Sequence, residues 1–81
     1  MSSTKNYENL ANAIILQAVM DYRTVLKCLK LNPNNRKALS DKEEIEHFFR
    51  SKWYSTLTSV DGEMLIRSLS EEVKTEMRLK K

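Results

Sequence analysis

The sequence predicts an all-α protein, a small three-helix bundle with a long N-terminal helix. One Gly and one Pro in 81 residues are too few for the turns of a sheet fold. Apolar residues also recur every three or four positions along three segments, which is the period of an amphipathic helix. A chain of this length forms one core of modest size. We therefore expect a single helical domain over residues 1–81, with frayed ends at about 1–4 and 79–81.

The first helix is predicted to begin near Thr4 to Asn6, because either side chain can accept a hydrogen bond from the first-turn amides. It should end by Asn32, since Pro33 disfavours the α conformation at the residue before it. Asn32–Asn35 is then a turn. The apolar line of this helix is long and unbroken: Tyr7, Ala11, Ile14, Ile15, Ala18, Tyr22, Val25, Leu26 and Leu29.

The second helix is predicted to open with a capping box at Ser40–Glu43 and to continue through Leu57. Four of its residues share one face at i, i+3, i+4 and i+8: Ile45, Phe48, Phe49 and Trp53. Phe49 and Trp53 are expected at the centre of the core, because aromatic side chains bury the most apolar area. Tyr54 points nearly the opposite way and is expected to be exposed.

The third helix follows a break at Thr58–Gly62, with either Thr58 or Asp61 as its cap. Its apolar face is predicted to consist of Leu65, Ile66, Leu69, Val73 and Met77.

The charge and the N-terminal residues restrict the class of protein. The net charge is +3, and it is uneven: residues 1–40 carry +4 and residues 41–63 carry −3. The N-terminus lacks the basic and then apolar order of a signal peptide. The longest uncharged run, Asn9 to Met20, has 12 residues and is too short to cross a bilayer. We expect a cytoplasmic protein that does not bind a membrane, and the single Cys fits a reducing compartment.

Residues that could support catalysis are few. His47 is the only histidine and Cys28 the only thiol, so the ligand spacing of a zinc site is missing. A Cys–His pair remains open in space, but no third orienting group is apparent. The sequence therefore predicts no catalytic residues, no cofactor and no metal, and the chain is not expected to be an enzyme.

The back of the first helix carries a second apolar stripe, followed by basic residues at i, i+4 and i+7. One interpretation is a central helix that the others surround, with a solvated basic end. The other is a docking surface for a protein partner or for a second copy paired antiparallel, with an apolar anchor beside a cationic arm. The candidate partner-binding residues are Ala13, Leu16, Met20, Arg23, Lys27, Lys30 and Tyr54.

Nucleic-acid binding by a helix-turn-helix-like module is the alternative, because the chain is basic and has three predicted helices. The turn of such a module would be Thr58–Gly62. The helix after it opens with Glu63 and three apolar residues, whereas a recognition helix normally opens with polar or basic ones. The pattern therefore favours a protein partner.

A set of segments within about residues 5–73 carries a resemblance: Tyr7 to Ile14, Gln17 to Val19, Asp21 to Arg23, Phe48 to Ser51, Trp53-Tyr54, Leu57-Thr58, Asp61 to Glu63 and Leu65-Ile66. These segments resemble small proteins of unknown function encoded by prophages and mobile elements of Gram-positive bacteria. The resemblance implies a phage-type accessory protein in a bacterial host cell. Small phage proteins of this kind are often binders that regulate or inhibit host or defence proteins.

Overall fold

The computed structural model describes the backbone of residues 3–79 and the side chains of residues 8–76. These residues contain four helices and no strand, so the all-α class is confirmed. The helices are α1 (Ser3–Leu31), α2 (Arg36–Phe49), α3 (Lys52–Leu57) and α4 (Gly62–Leu79). Fraying was predicted at about residues 1–4 and 79–81, and the structure gives residues 3–4 and 79 as helix. Residues 1–2 and 80–81, and the packing predicted for the Tyr7 and Met77 side chains, lie outside the described residues. Within residues 3–79, none of the helices combines the length and apolar character needed to cross a membrane.

The second helix begins earlier than predicted, directly after the turn that follows α1. The Asn35 side-chain oxygen accepts a hydrogen bond from the backbone N–H of Ala38 at 3.1 Å, which makes Asn35 the N-cap of α2. The predicted capping box at Ser40–Glu43 is therefore wrong, because those residues lie inside the helix. Asn35, just after the Pro33 turn, caps the free amides of the first turn of α2, so the helix has already begun when the chain reaches Ser40.

The second helix also ends earlier than predicted, and this break adds a fourth helix. The Arg50 backbone N–H donates to the carbonyls of Glu46 and His47 at 3.1 and 3.2 Å, which closes α2. Ser51 then takes an extended conformation and caps α3, with its hydroxyl oxygen 3.1 Å from the backbone nitrogen of Tyr54. The same hydroxyl donates to the Phe48 carbonyl at 2.7 Å. One serine thus ends one helix and starts the next in a new direction.

This change of direction exchanges the positions of two aromatic residues. Trp53 is 56% exposed, whereas Tyr54 is 2% exposed. The predictions of a core Trp53 and an exposed Tyr54 are both wrong, because they assumed one continuous helix through Leu57. Trp53 contacts the core only at its edge, with its ring centroid 5.4 Å from that of Phe48.

The core lies where α1, α2, α3 and α4 meet, and its aromatic centre is Phe49, which confirms the prediction for that residue. Phe49 is 1% exposed. Its ring makes edge-to-face contacts with Tyr22 and Tyr54, both at centroid separations of 5.7 Å. The buried residues of this cluster come from all four helices: Val19, Tyr22, Phe49, Tyr54, Ile66 and Leu69.

A polar contact at the edge of this core joins α1 to α2. The Tyr22 hydroxyl donates to the Glu46 carboxylate at 2.6 Å, and the Lys42 ammonium lies 2.9 Å from the same carboxylate oxygen. Burial, and secondarily the hydrogen bond to Glu46, raise the pKa of Tyr22 to about 12. Burial alone would raise the pKa of Glu46, but the hydrogen bonds from Tyr22 and Lys42, together with the positive charges of Lys42 and Arg50, outweigh it and lower that pKa.

The start of α4 is packed against the end of α2. The Asp61 side chain accepts from the backbone N–H of Glu63 at 3.0 Å, so Asp61 and not Thr58 caps this helix. Glu63 in turn forms an ion pair with Arg50. Gly62 lies so close to the Phe49 carbonyl that a Cβ atom there would overlap the carbonyl oxygen and stand 3.0 Å from its carbon. Only glycine lets the two backbones approach this closely.

Candidate protein-binding groove

An open apolar groove of about 360 Å³ lies between α1, the α3–α4 connection and the first turns of α4. Leu16 on α1 and Val60 on the connection are 57% and 47% exposed, so both present apolar surface to solvent. Leu65 on α4 is half-buried beneath them. The lining residues are Asn12, Ile15, Leu16, Val19, Tyr54, Thr58, Val60 and Leu65. We refer to this surface as the apolar groove.

The α3–α4 connection builds one wall of the groove through local hydrogen bonds. The Thr58 backbone N–H donates to the Tyr54 carbonyl at 3.2 Å and ends α3. The Thr58 hydroxyl oxygen then accepts from the backbone N–H of Val60 at 3.2 Å, a turn that threonine side chains commonly form. Two residues later Gly62 begins α4. These contacts fix Val60 at the edge of the groove.

The walls of the groove come from the two longest uncharged runs of the chain. Residues 9–20 supply the α1 wall, and residues 53–60 supply the α3 wall and the connection. Neither run contains an acidic or basic residue, in a chain of which 31% is charged. Leu65 also has apolar neighbours, Met64 and Ile66. The groove is therefore nearly free of formal charge, and it can accept an apolar surface without desolvating ions.

The apolar residues predicted on the back of the first helix are exposed. Leu16 lines the groove, and Met20, one turn further along α1, is 50% exposed. Ala13 is exposed on the same helix. Ala13 and Met20 are not among the lining residues of the groove. For these residues, the prediction of a solvent-facing apolar stripe agrees with the structure.

The basic residues predicted beside this stripe are not a free cationic arm. The Arg23 Nε atom lies 2.9 Å from a carboxylate oxygen of Glu72, and the Lys27 Nζ atom lies 3.4 Å from one of Glu76. Both acids belong to α4, which packs beside α1 at this level. The sequence interpretation of a cationic arm is corrected here, because one-helix periodicity does not show what a second helix places opposite. Lys30 is exposed near the end of α1.

Tyr54 was expected on the surface as a binding residue, and its burial corrects that expectation. Its ring forms part of the groove wall from below, and its hydroxyl has no hydrogen-bond partner among the described residues. Burial raises the pKa of Tyr54, and the nearby Asp61 carboxylate adds to the shift. This side chain therefore supports the groove from the core and presents almost no surface of its own to a partner.

The sequence interpretation missed Val60 and Leu65 as groove residues. Val60 is a lone apolar residue in a polar turn, and this was the one signal that could have drawn attention to it. Leu65 was assigned to the core face of its helix, which is correct but incomplete, because its other side faces the groove. Trp53 is a further exposed aromatic on α3, although it does not line the groove.

The two residues considered for chemistry are both on the surface. Cys28 is a free, exposed thiol on α1, and His47 is exposed near the end of α2. Within the part of the chain that the structure describes, His, Cys, Asp and Glu side chains form no group of three or more that could hold a metal ion. The groove itself contains none of these residue types.

Comparisons of the chain with protein-family models, with curated proteins and with solved structures gave no match.

Proposed function

We propose that this chain is a small, non-enzymatic accessory protein of the phage type, which binds a bacterial or phage protein in the cytoplasm of a bacterial host and regulates or inhibits it. The observation that carries the proposal is the apolar groove, where Leu16 and Val60 stay about half exposed. In this proposal the fold is a small three-helix bundle in which α3 continues α2 after a bend, and the long α1 supplies one wall of the groove.

The energetic argument concerns apolar surface that the fold leaves uncovered. Burying such surface yields about 25 cal/mol per Å² removed from water. Contiguous exposed apolar surface with a polar surround is typical of protein-binding sites. Asn12 and Thr58 supply hydrogen-bonding groups at the edges of the groove, which would orient a partner. An amphipathic helix laid into the groove is one familiar form of such recognition.

A small DNA- or RNA-binding regulator is the second candidate. The net charge of +3 and the exposed Lys30 and Arg36, on either side of the α1–α2 turn, favour it. Against it, Arg23 and Lys27 are paired with acids of α4 and would have to leave those partners to reach phosphates. The groove, which lacks charge, also offers nothing to a phosphate backbone.

The experiment uses the tagged protein as bait in a bacterial lysate, with two matched variants beside it. Leu16→Glu places a carboxylate in the groove, whereas Leu39→Glu makes the same change at an exposed leucine of α2 outside it. We expect a co-purifying protein that Leu16→Glu loses and Leu39→Glu keeps, with both variants folded by circular dichroism. Equal recovery with all three baits would refute binding through the groove.

A salt titration against random duplex DNA and RNA separates the second candidate from the first. A phosphate-driven binder loses affinity steeply as salt increases. Binding at low salt that falls in this way, and that Leu16→Glu does not change, would favour the nucleic-acid regulator. The absence of binding at low salt would end that candidate.

A further inference from the structure

We infer that Asp61 is a site of spontaneous covalent modification, in which its side chain cyclises onto the backbone nitrogen of Gly62 and reopens as isoaspartate, and that the folded start of α4 suppresses this reaction. The chain has one glycine, so Asp61 is its only aspartate or asparagine that is followed by glycine. Asp61 is exposed, so water reaches its carboxyl group. The inference concerns the chemistry of the chain itself and holds whatever the apolar groove binds.

The reaction needs only the carboxyl group of Asp61, the backbone nitrogen of Gly62 and water. The nitrogen attacks the carboxyl carbon Cγ and forms a bond to it, while the nitrogen loses its proton and a carboxyl oxygen leaves as water. The product is a succinimide ring. Water then adds to one of the two ring carbonyl carbons. Cleavage of the bond from nitrogen to Cγ restores aspartate, whereas cleavage of the bond from nitrogen to the main-chain carbonyl carbon leaves isoaspartate.

The packing of the α3–α4 connection requires this reactive pair. A Cβ atom on residue 62 would overlap the carbonyl oxygen of Phe49, so the position needs glycine. Because Gly62 has no side chain, its nitrogen is open to attack. Residue 61 needs a short side chain with an acceptor oxygen, because it caps α4 through the backbone N–H of Glu63 at 3.0 Å. Aspartate supplies that oxygen and, unlike serine, also supplies the carboxyl carbon that the nitrogen attacks.

Two hydrogen bonds oppose ring closure in the folded chain. The Asp61 carboxylate accepts from the backbone N–H of Glu63, and the Asp61 main-chain carbonyl accepts from the backbone N–H of Leu65 at 3.0 Å. In a succinimide ring the two carbonyl oxygens lie in one plane on opposite sides of the nitrogen. They cannot both point along α4 to these two amides, so ring closure requires the first turn of α4 to open. Opening costs free energy, and the reaction is therefore slow in folded molecules.

Isoaspartate at residue 61 would in turn hinder α4 from packing again. It adds one carbon to the main chain and places the carboxylate directly on Cα, so the carboxylate no longer has the reach of a helix cap. The added carbon also shifts Gly62 from its close approach to Phe49. The modification therefore marks molecules in which the start of α4 has opened.

The test compares the full chain folded in buffer near neutral pH with the same chain unfolded in urea, both held at body temperature. Isoaspartate at residue 61 is measured over time by proteolytic digestion and mass spectrometry with electron-transfer fragmentation, which distinguishes it from aspartate. A synthetic peptide of residues 57–66, present in both solutions, corrects for the effect of urea on the rate. We expect the corrected rate to be at least about tenfold lower in the folded chain.

Three variants separate the contributions. Asp61→Ser keeps a capping oxygen but has no carboxyl group, so it should fold and form no isoaspartate at residue 61 in either solution. Ile66→Val removes one methyl group from a buried residue near the start of α4, and it should raise the rate in the folded chain about 2- to 10-fold. Ser68→Ala, at an exposed position of the same helix, should leave that rate unchanged. The purified isoaspartate form should melt at least about 5 °C below the parent.

Equal corrected rates in the folded and unfolded chain would overturn the inference, because ring closure would then not need α4 to open. A folded rate that Ile66→Val leaves unchanged would overturn it for the same reason. An unfolded chain that forms no isoaspartate at residue 61 while the peptide does would show that Asp61 is not a modification site. An isoaspartate form that melts with the parent would show that the modification does not disturb α4.

Discussion

Replacing Gly62 with alanine tests whether the close approach of α2 and α4 is real. Gly62 is the first residue of α4, and a Cβ atom there would overlap the carbonyl oxygen of Phe49. Both atoms are held by backbone, so neither can turn aside as the end of a flexible side chain would. The start of α4 must therefore move away from the end of α2, where Phe49 and Tyr54 pack against each other.

Two opposing contributions decide whether Gly62→Ala raises or lowers the free energy of unfolding. Alanine is favoured over glycine in a helix by up to about 1 kcal/mol, and it also reduces the entropy of the unfolded chain. Overpacking typically costs about 1–3 kcal/mol, and a clash between two backbones lies at the upper end or beyond. We expect a net loss of about 1–2 kcal/mol in the free energy of unfolding. For a domain of this size that lowers the Tm by roughly 5–15 °C.

The assay is thermal and urea unfolding followed by circular dichroism, with Ser68→Ala as the control. Ser68 is exposed on the same helix, so this change should be neutral or slightly stabilising. A Gly62→Ala variant that melts at or above the temperature of the parent would show that the two helices have room for a methyl group. The packing described at this junction would then be incorrect.

Four other substitutions test the remaining core and helix junctions. Phe49→Ala should cost about 3–5 kcal/mol in urea unfolding and Trp53→Ala less than about 1, because only Phe49 is buried; equal losses would contradict the assigned positions. Tyr22→Phe should cost roughly 1.5 kcal/mol near neutral pH through loss of the hydrogen bond to Glu46. Burial first, and the hydrogen bond to Glu46 second, raise the folded pKa of Tyr22 to about 12 from an ordinary 10.0, so the parent keeps its full stability below pH 10 and loses stability as the pH rises through 12. Phenylalanine does not ionise, so the stability advantage of the parent over Tyr22→Phe should shrink above pH 10 in urea unfolding, and a constant difference from pH 8 to 12 would refute the linkage. Ser51→Ala should lower stability by about 1 kcal/mol by removing the cap of α3, and a melt unchanged from the parent's would show that the cap contributes nothing.

The sequence was sufficient to predict the all-α class and most of the apolar core positions. Both follow from the helical periodicity and from the scarcity of Gly and Pro. It was insufficient at Ser51. The apolar pattern from Ile45 to Trp53 predicts one face of a continuous helix, and Ser51 within that segment does not by itself indicate a break. Whether Ser51 caps a new helix depends on tertiary contacts, and in the structure Phe49 and Tyr54, on either side of the break, are both buried and in edge-to-face contact.

The candidate surface could be predicted only in part for a related reason. Leu16 and Met20 are apolar residues on the side of α1 away from its core-facing line, and that pattern is visible in the sequence. The partners of Arg23 and Lys27 are 49 residues further along the chain, and the position of Val60 depends on how the α3–α4 connection folds. Contacts between distant segments depend on how helices pack, and the period of a single helix does not specify that packing.

The four-residue turn between α1 and α2 bears on the order in which the chain folds. Closing so short a loop costs little chain entropy, so we expect the α1–α2 hairpin to form first. Contacts such as Arg23–Glu72 span 49 positions and form only when α4 docks. Because Val60 and Leu65 reach their places in that same step, the groove is completed last. A partly folded chain would then have no groove to offer, and a partner that recognises it would select only molecules that have finished folding.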